Sequence, residues 1–229
     1  MLRLTRLWIV SCLLLLSPGL PPLDAGPVEP GAPGARVKWS AIDVGLSKQA
    51  ISALQGGNAA EADAAAARIQ AEPSAYNPEA FYVLGKTLFD SGRRDEGAFW
   101  FYAGQLRARF DANRCADVEA RQVVGSLTFA HGEAINKYTF QDPDKLMDLI
   151  RRVVEWDRTI PHDYDQRWIN LQWNEYMTVL YRRGKKHAVE PLSLPSDQWQ
   201  AIAEETRLRY QSSMLEGIQD YKEQHPRQP

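Results

Sequence analysis

Three pairs of small residues, each seven apart, punctuate the chain: Ala50 and Gly57, Gly85 and Gly92, and Gly125 and Gly132. The first two pairs are offset by 35 residues. A helical hairpin needs this arrangement: a small residue where two helices touch, then a glycine where the backbone leaves the first helix. Hairpins of this length bury a face only by stacking on one another, so the spacing points to an array rather than to a catalytic loop.

The rest of the pattern agrees. No segment reads as a strand, and the long periodic segments have helical spacing. Asn77, Pro78 and Glu79 supply an N-cap, a first-turn proline and a first-turn acid, which start a helix running to about Asp90. Asp142 and Pro143 repeat the device, and Leu146, Leu149, Ile150, Val153, Val154 and Trp156 give that helix its apolar surface before Pro161 stops it. A further helix spans roughly Asp165 to Arg182, with Ile169, Trp173, Met177 and Leu180 on one face. The last, capped by Ser196, carries Trp199, Ile202, Tyr210, Met214, Ile218 and Tyr221. The expected fold is all-α, with seven to nine helices. Phe99, Trp100, Phe101 and Tyr102 cannot all face one way on a helix, so at least one must meet a neighbouring helix or a partner.

The stretch from Leu84 to Phe110 resembles a tetratricopeptide repeat or its relative, the Sel1-like repeat. Phe81, Leu84, Gly85, Leu88 and Gly92 match that family's first helix and turn, and Phe101 matches its second-helix aromatic position. Gly97 and Gly104 stand where alanine is usual, and no proline closes the unit. A looser unit precedes it through Leu46, Ala50, Gly57 and Ala62, and a third follows in "VVGSLTFAHGEAINKY", with Gly125 as contact residue and Gly132 as turn glycine. The resemblance covers about residues 43 to 138. It implies a short solenoid with additional C-terminal capping helices; the helical spacing of Trp168, Trp173 and Trp199 reads as the core of that cap rather than as a second binding face. First helices of such repeats line a concave binding surface, so the resemblance implies a protein partner at Glu79, Tyr82, Lys86 and Phe89, with Glu119, Gln122, Ser126 and Phe129 as poorer matches. The competing reading is that Tyr82 and Phe89 pack against adjacent helices.

The chain's beginning carries a different message. Two arginines, Arg3 and Arg6, precede "LWIVSCLLLLS", an apolar run that Pro18 interrupts well short of the roughly 20 residues needed to span a bilayer. Residues 1–25 therefore read as a secretory signal peptide with cleavage after Ala25, or, uncleaved, as a membrane tether. "IVSC" has the residue types of a lipobox, but only four apolar residues precede Cys12 in the run and four leucines follow it. Residues 26–36 form a Pro/Gly-rich leader too poor in apolar surface to order itself, and residues 37–229 form one domain. Cleavage removes Arg3, Arg6 and Asp24, which leaves 25 basic and 28 acidic residues, a balance unlike that of a nucleic-acid partner. The cluster Arg182 to His187 sits where a helix ends and complements its dipole. Cleavage also removes Cys12 and leaves Cys115 alone, so no intramolecular disulfide is available.

Catalytic motifs are absent from the sequence. His131 and Glu133 flank a glycine without the helical spacing of a zinc hydrolase. Asp157, His162, Asp163 and Asp165 crowd a proline-bounded loop that suits either calcium or acid–base chemistry, although Asp163 or Asp165 serves equally well to cap the next helix. No catalytic residue, metal ligand or cofactor is assigned. The expected function is that of an exported, non-enzymatic helical repeat protein binding another protein in the bacterial cell envelope, in a more specific form an immunity protein against a secreted toxin. The alternative is an envelope hydrolase using residues 157–165.

Overall fold

The computed structural model describes residues 36–181 and 191–226, with side chains up to Val179 in the first span. The signal segment, the leader up to residue 35, the Leu180 side chain and the Arg182 to His187 cluster lie outside the described residues. Among those residues the fold is all-α, with eight α-helices: α1 Gly45–Gln55, α2 Ala59–Ala71, α3 Pro78–Asp90, α4 Arg94–Asn113, α5 Gln122–Thr139, α6 Pro143–Thr159, α7 Trp168–Tyr181 and α8 Trp199–Gln224. None of the described helices is long and apolar enough to cross a membrane.

Local chemistry sets most boundaries. Gly57 and Gly92 adopt φ of +79° and +93°, as turn glycines should. At the end of α3 the Gly92 N–H donates to Phe89 O and the Arg93 N–H to Leu88 O, the paired bonds of a Schellman motif. Asn58 caps α2 by accepting from the Ala60 and Glu61 N–H groups, and Asp142 caps α6 by accepting from the Lys145 N–H. Ser196 does not cap α8: it opens a short 3-10 turn, makes no side-chain capping bond, and leaves the α-helix to begin at Trp199.

Helix α4 occupies the centre. It packs against α3, α5, α6, α7 and α8, while α1 packs against α2 and α3. This enclosure explains the aromatic run. Trp100, Phe101 and Tyr102 are buried, and Phe99 lies edge-on to Trp156, 5.6 Å between ring centroids. All four meet neighbouring helices, as a helix that is apolar around its circumference must. In an open stack each repeat meets only its neighbours, whereas α4 also receives α6 and α8 and brings the C-terminal helices into the same core. Trp168 and Trp173 are buried there.

The α3–α4 contact is made by backbone. A Cβ on Gly85 would lie 2.7 Å from Phe101 N and 2.8 Å from Gly97 O, and a Cβ on Gly97 would lie 2.6 Å from both Gly85 O and Phe89 N. Gly97 therefore stands in place of alanine because α3 leaves no room for a methyl group. The third unit differs from its expected form. Helix α5 runs unbroken through Gly132, which is not a turn glycine; a Cβ there would meet the Phe101 ring at 2.6 Å. Gly125, expected at a helix contact, has nothing within 4 Å of a Cβ position.

After α7 the chain returns to the end of α4. The Ala116 N–H donates to Leu192 O and the Leu194 N–H to Arg114 O, forming a single bridge between Cys115 and Ser193.

Overpacking at the backbone contact should cost about 2–3 kcal/mol. Gly85→Ala is expected to lower Tm by roughly 5–10 °C, whereas Gly57→Ala, strained only by its positive φ, should cost about 1 kcal/mol. Thermal melts followed by circular dichroism check the ranking; equal effects would remove the close approach as the reason for Gly85.

Candidate binding face

Helices α1, α3 and α5 carry Ala50, Gly85 and Gly125, the first members of the three small-residue pairs, and contacts advance together along α3 and α5. The Tyr82 hydroxyl lies 3.2 Å from Thr128 Oγ1, and seven residues later Phe89 meets the Tyr138 ring edge-on at 5.5 Å. The two helices therefore run in the same direction, as alternate helices of stacked hairpins do. Beside them Lys48 of α1 approaches Glu175 of α7 at 3.7 Å, and Gln172 of α7 donates to Glu79 Oε1 at 3.2 Å.

The predicted partner residues divide by exposure. Tyr82 is wholly enclosed, packed edge-on against Phe101 and 6.1 Å from the His131 ring, so it offers no surface. Burial pushes its hydroxyl up to about 12. Glu79 is half-buried, and burial raises its carboxyl above the usual range despite the Gln172 hydrogen bond. Lys86 is half-buried and bonds Asp90 at 2.5 Å. Phe89 is half-buried, with the Arg94 guanidinium 5.8 Å from its ring centroid. On the third unit Glu119 and Gln122 are exposed, Ser126 is half-buried and donates to Gln122 O, and Phe129 is 68% exposed. Tyr82 and Lys86 thus gather beside Thr128 and His131, Glu79 faces Gln172 of α7, and Phe89 sits at the far end against Tyr138. His131 enters this group with its pKa lowered by burial and by the charge of Lys86. Its neighbours are distant in sequence, and its local pairing with Glu133 gave no sign of them.

The Asp157 to Asp165 loop divides into separate roles. Asp157 is buried between two arginines: Arg107 Nε donates to Oδ1 and Arg207 Nε to Oδ2, each at 2.8 Å. His162 Nε2 lies 3.2 Å from Oδ1. Burial alone would raise the Asp157 carboxyl; the His162 hydrogen bond and the two guanidinium charges outweigh it and hold the group well below the carboxylate range. Arg107 also donates to Ile160 O at 2.8 Å and Pro161 O at 3.3 Å, and lies over the Trp156 ring at 4.6 Å. It fastens the loop to α4. Asp163 is exposed, and its N–H donates to Ser74 O. Asp165 accepts from the Arg167 N–H and side chain ahead of α7, and from the Asp43 N–H; it shapes the turn before the helix, whose first intrahelical bond is accepted by Arg167 O. Among the described residues no group of three or more His, Cys, Asp or Glu side chains is placed to hold a metal ion.

A second buried anion adjoins the first. Asp111 accepts from Trp168 Nε1 at 2.7 Å, from the Tyr164 hydroxyl at 2.9 Å and from Arg114. Cys115 beside it is buried, and burial pushes its thiol up to about 12, away from nucleophilic reactivity. The sequence signal for these pairs was the charges of "LRARFDANR" inside an otherwise apolar helix, which demand partners once the helix is enclosed.

No family model matches the chain, and no solved structure matches it. A stretch of 99 residues is 29% identical to an uncharacterized protein of Haemophilus influenzae, covering 42% of this chain and 38% of that protein. The chain thus spans well under half the length of the curated relative it matches, and the likeness assigns no activity.

Two stability measurements test the charges. Asp157→Asn leaves Arg107 and Arg207 facing a neutral group and should cost about 3–5 kcal/mol at pH 7. Because the folded-state pKa of Asp157 is depressed, its stabilisation is present above about pH 4 and is lost as pH falls toward the folded value; the variant should show a shallower fall of Tm between pH 4 and pH 2. Glu79 has the opposite sign. Its raised pKa costs stability above about pH 4.3, so Glu79→Gln should raise Tm slightly at pH 7 and leave it unchanged at pH 3.5.

Proposed function

We propose that the protein is an exported, non-enzymatic helical repeat protein that binds another protein in the bacterial cell envelope through the face of α1, α3 and α5. The observation that carries this reading is the parallel stacking of α3 and α5, which presents Lys86 beside His131 of α5 and leaves Phe129 exposed one residue beyond Thr128. Large aromatic side chains at such positions are the usual anchors of protein interfaces. The signal-like run at residues 1–25 supports export. The hydrolase alternative draws on Asp157, yet both of its carboxylate oxygens are engaged by arginines inside the core.

Affinity capture from envelope extracts tests the reading, using residues 26–229 as bait beside Lys86→Glu, Phe129→Ala and the double variant. Neither side chain is enclosed, so each variant should keep its melting temperature within a few degrees. One protein held by the wild type and lost from the folded double variant is the expected result. A partner retained equally by all four baits would place the interface elsewhere.

A further inference from the structure

Helix α2 lies at the edge of the packing. It meets α1 and α3 through Ala65, Ala66 and Ile69, all buried, and among the described residues its opposite side is left to solvent. The positions that point furthest outward are Ala60, Ala64, Ala67 and Ala71, each exposed and spaced by four, three and four residues. The solvent face of a helix ordinarily carries charged or polar side chains; this spacing is instead that of a coiled-coil seam.

The flanking side chains decide what such a face accepts. Glu61 and Arg68 lie on the side next to α1, where with Ala64 they form one wall of a groove of about 500 Å³. Ala53 and Gly56 at the end of α1 belong to the other wall and are too small to obstruct an approaching helix. Two turns apart, about 10 Å along one helix, Glu61 and Arg68 cannot pair with each other. On the side next to α4 stand Asp63, which feels the charge of Arg93, and Gln70, which donates to Glu96 Oε2 at 3.4 Å.

Turned end for end, the same face meets its own requirements. When two copies of α2 lie antiparallel about a twofold axis, Ala64 of one stands against Ala67 of the other, and Ala60 against Ala71. Heptad geometry then brings Glu61 of each copy to Arg68 of the other, and Asp63 to Gln70, with no like charges opposed at these positions. A parallel pair would set Asp63 against Arg68 and leave Glu61 unused. Alanine at the seam admits the close end of the roughly 8–10 Å range of helix separations. We propose that the protein self-associates through this face of α2, as an antiparallel twofold dimer fixed in register by reciprocal Glu61–Arg68 pairs. The inference stands apart from the partner face, since it uses none of Glu79, Lys86 or Phe129.

The seam is one 13-residue helix long. A contact this small makes a weak, reversible dimer, so the test is sedimentation equilibrium of the purified protein at concentrations up to about 1 mM. The wild type should shift from monomer toward dimer as concentration rises. Glu61→Arg opposes guanidinium groups across the axis, and Arg68→Glu opposes carboxylates. Each should weaken association at least about tenfold, through the loss of two exposed pairs and the repulsion that replaces them. An equimolar mixture of the two variants should associate nearly as well as the wild type, because a copy with one reversal complements a copy with the other. Both side chains are exposed, so melts followed by circular dichroism should show each variant folded. A wild type that stays monomeric throughout, association unchanged by either substitution, or a mixture no stronger than its components would each overturn the proposal, the first leaving the face to a different protein.

Discussion

A helix enclosed on every side can keep a charge only by surrounding it with partners, and α4 keeps two. Arg107 and Asp111 lie one turn apart in its buried half, and each recruits what the interior must otherwise lack. Asp157 answers Arg107 from α6 and is shared with Arg207 from α8. Trp168, Tyr164 and Arg114 answer Asp111. These bonds fix the angles at which α6, α7 and α8 approach the centre. Such an arrangement contributes less to net stability than an apolar core of the same volume would. It does make the approach of these three helices specific, since a slipped helix would strand a charge.

The N-terminal half obeys a different constraint. There α3 and α4 approach until backbone touches backbone, and glycine at positions 85 and 97 is the condition for it. One half of the molecule is held by shape, the other by charge. The two meet in α4, whose first turns carry the glycine and aromatic contacts and whose last turns carry the ions.

This division explains what could be read from the sequence. Caps and turns are local, so α3 could be bounded at Pro78 and Asp90, and the turn glycines at 57 and 92 identified, from neighbouring residues alone. Gly132 misled because glycine serves two purposes, a turn and a close approach; only the position of Phe101, from another helix, distinguishes them. Burial could be offered for Tyr82 and Phe89 only as a competing reading. Tyr82 occupies a position that lines the surface of a repeat by pattern, but Thr128 and Phe101 enclose it. The loop at Asp157 looked like a site because its acids are close in sequence, whereas the residues that decide its role, Arg107 and Arg207, each lie 50 residues away. Nothing local announces such pairs beyond the presence of charge in an apolar helix.

The bridge between Cys115 and Ser193 has a consequence for the last helix. It brings the polypeptide to the end of α4 before α8 begins. The entry of α8 is thereby tied to α4 by main-chain bonds, whichever side chains its later turns bury.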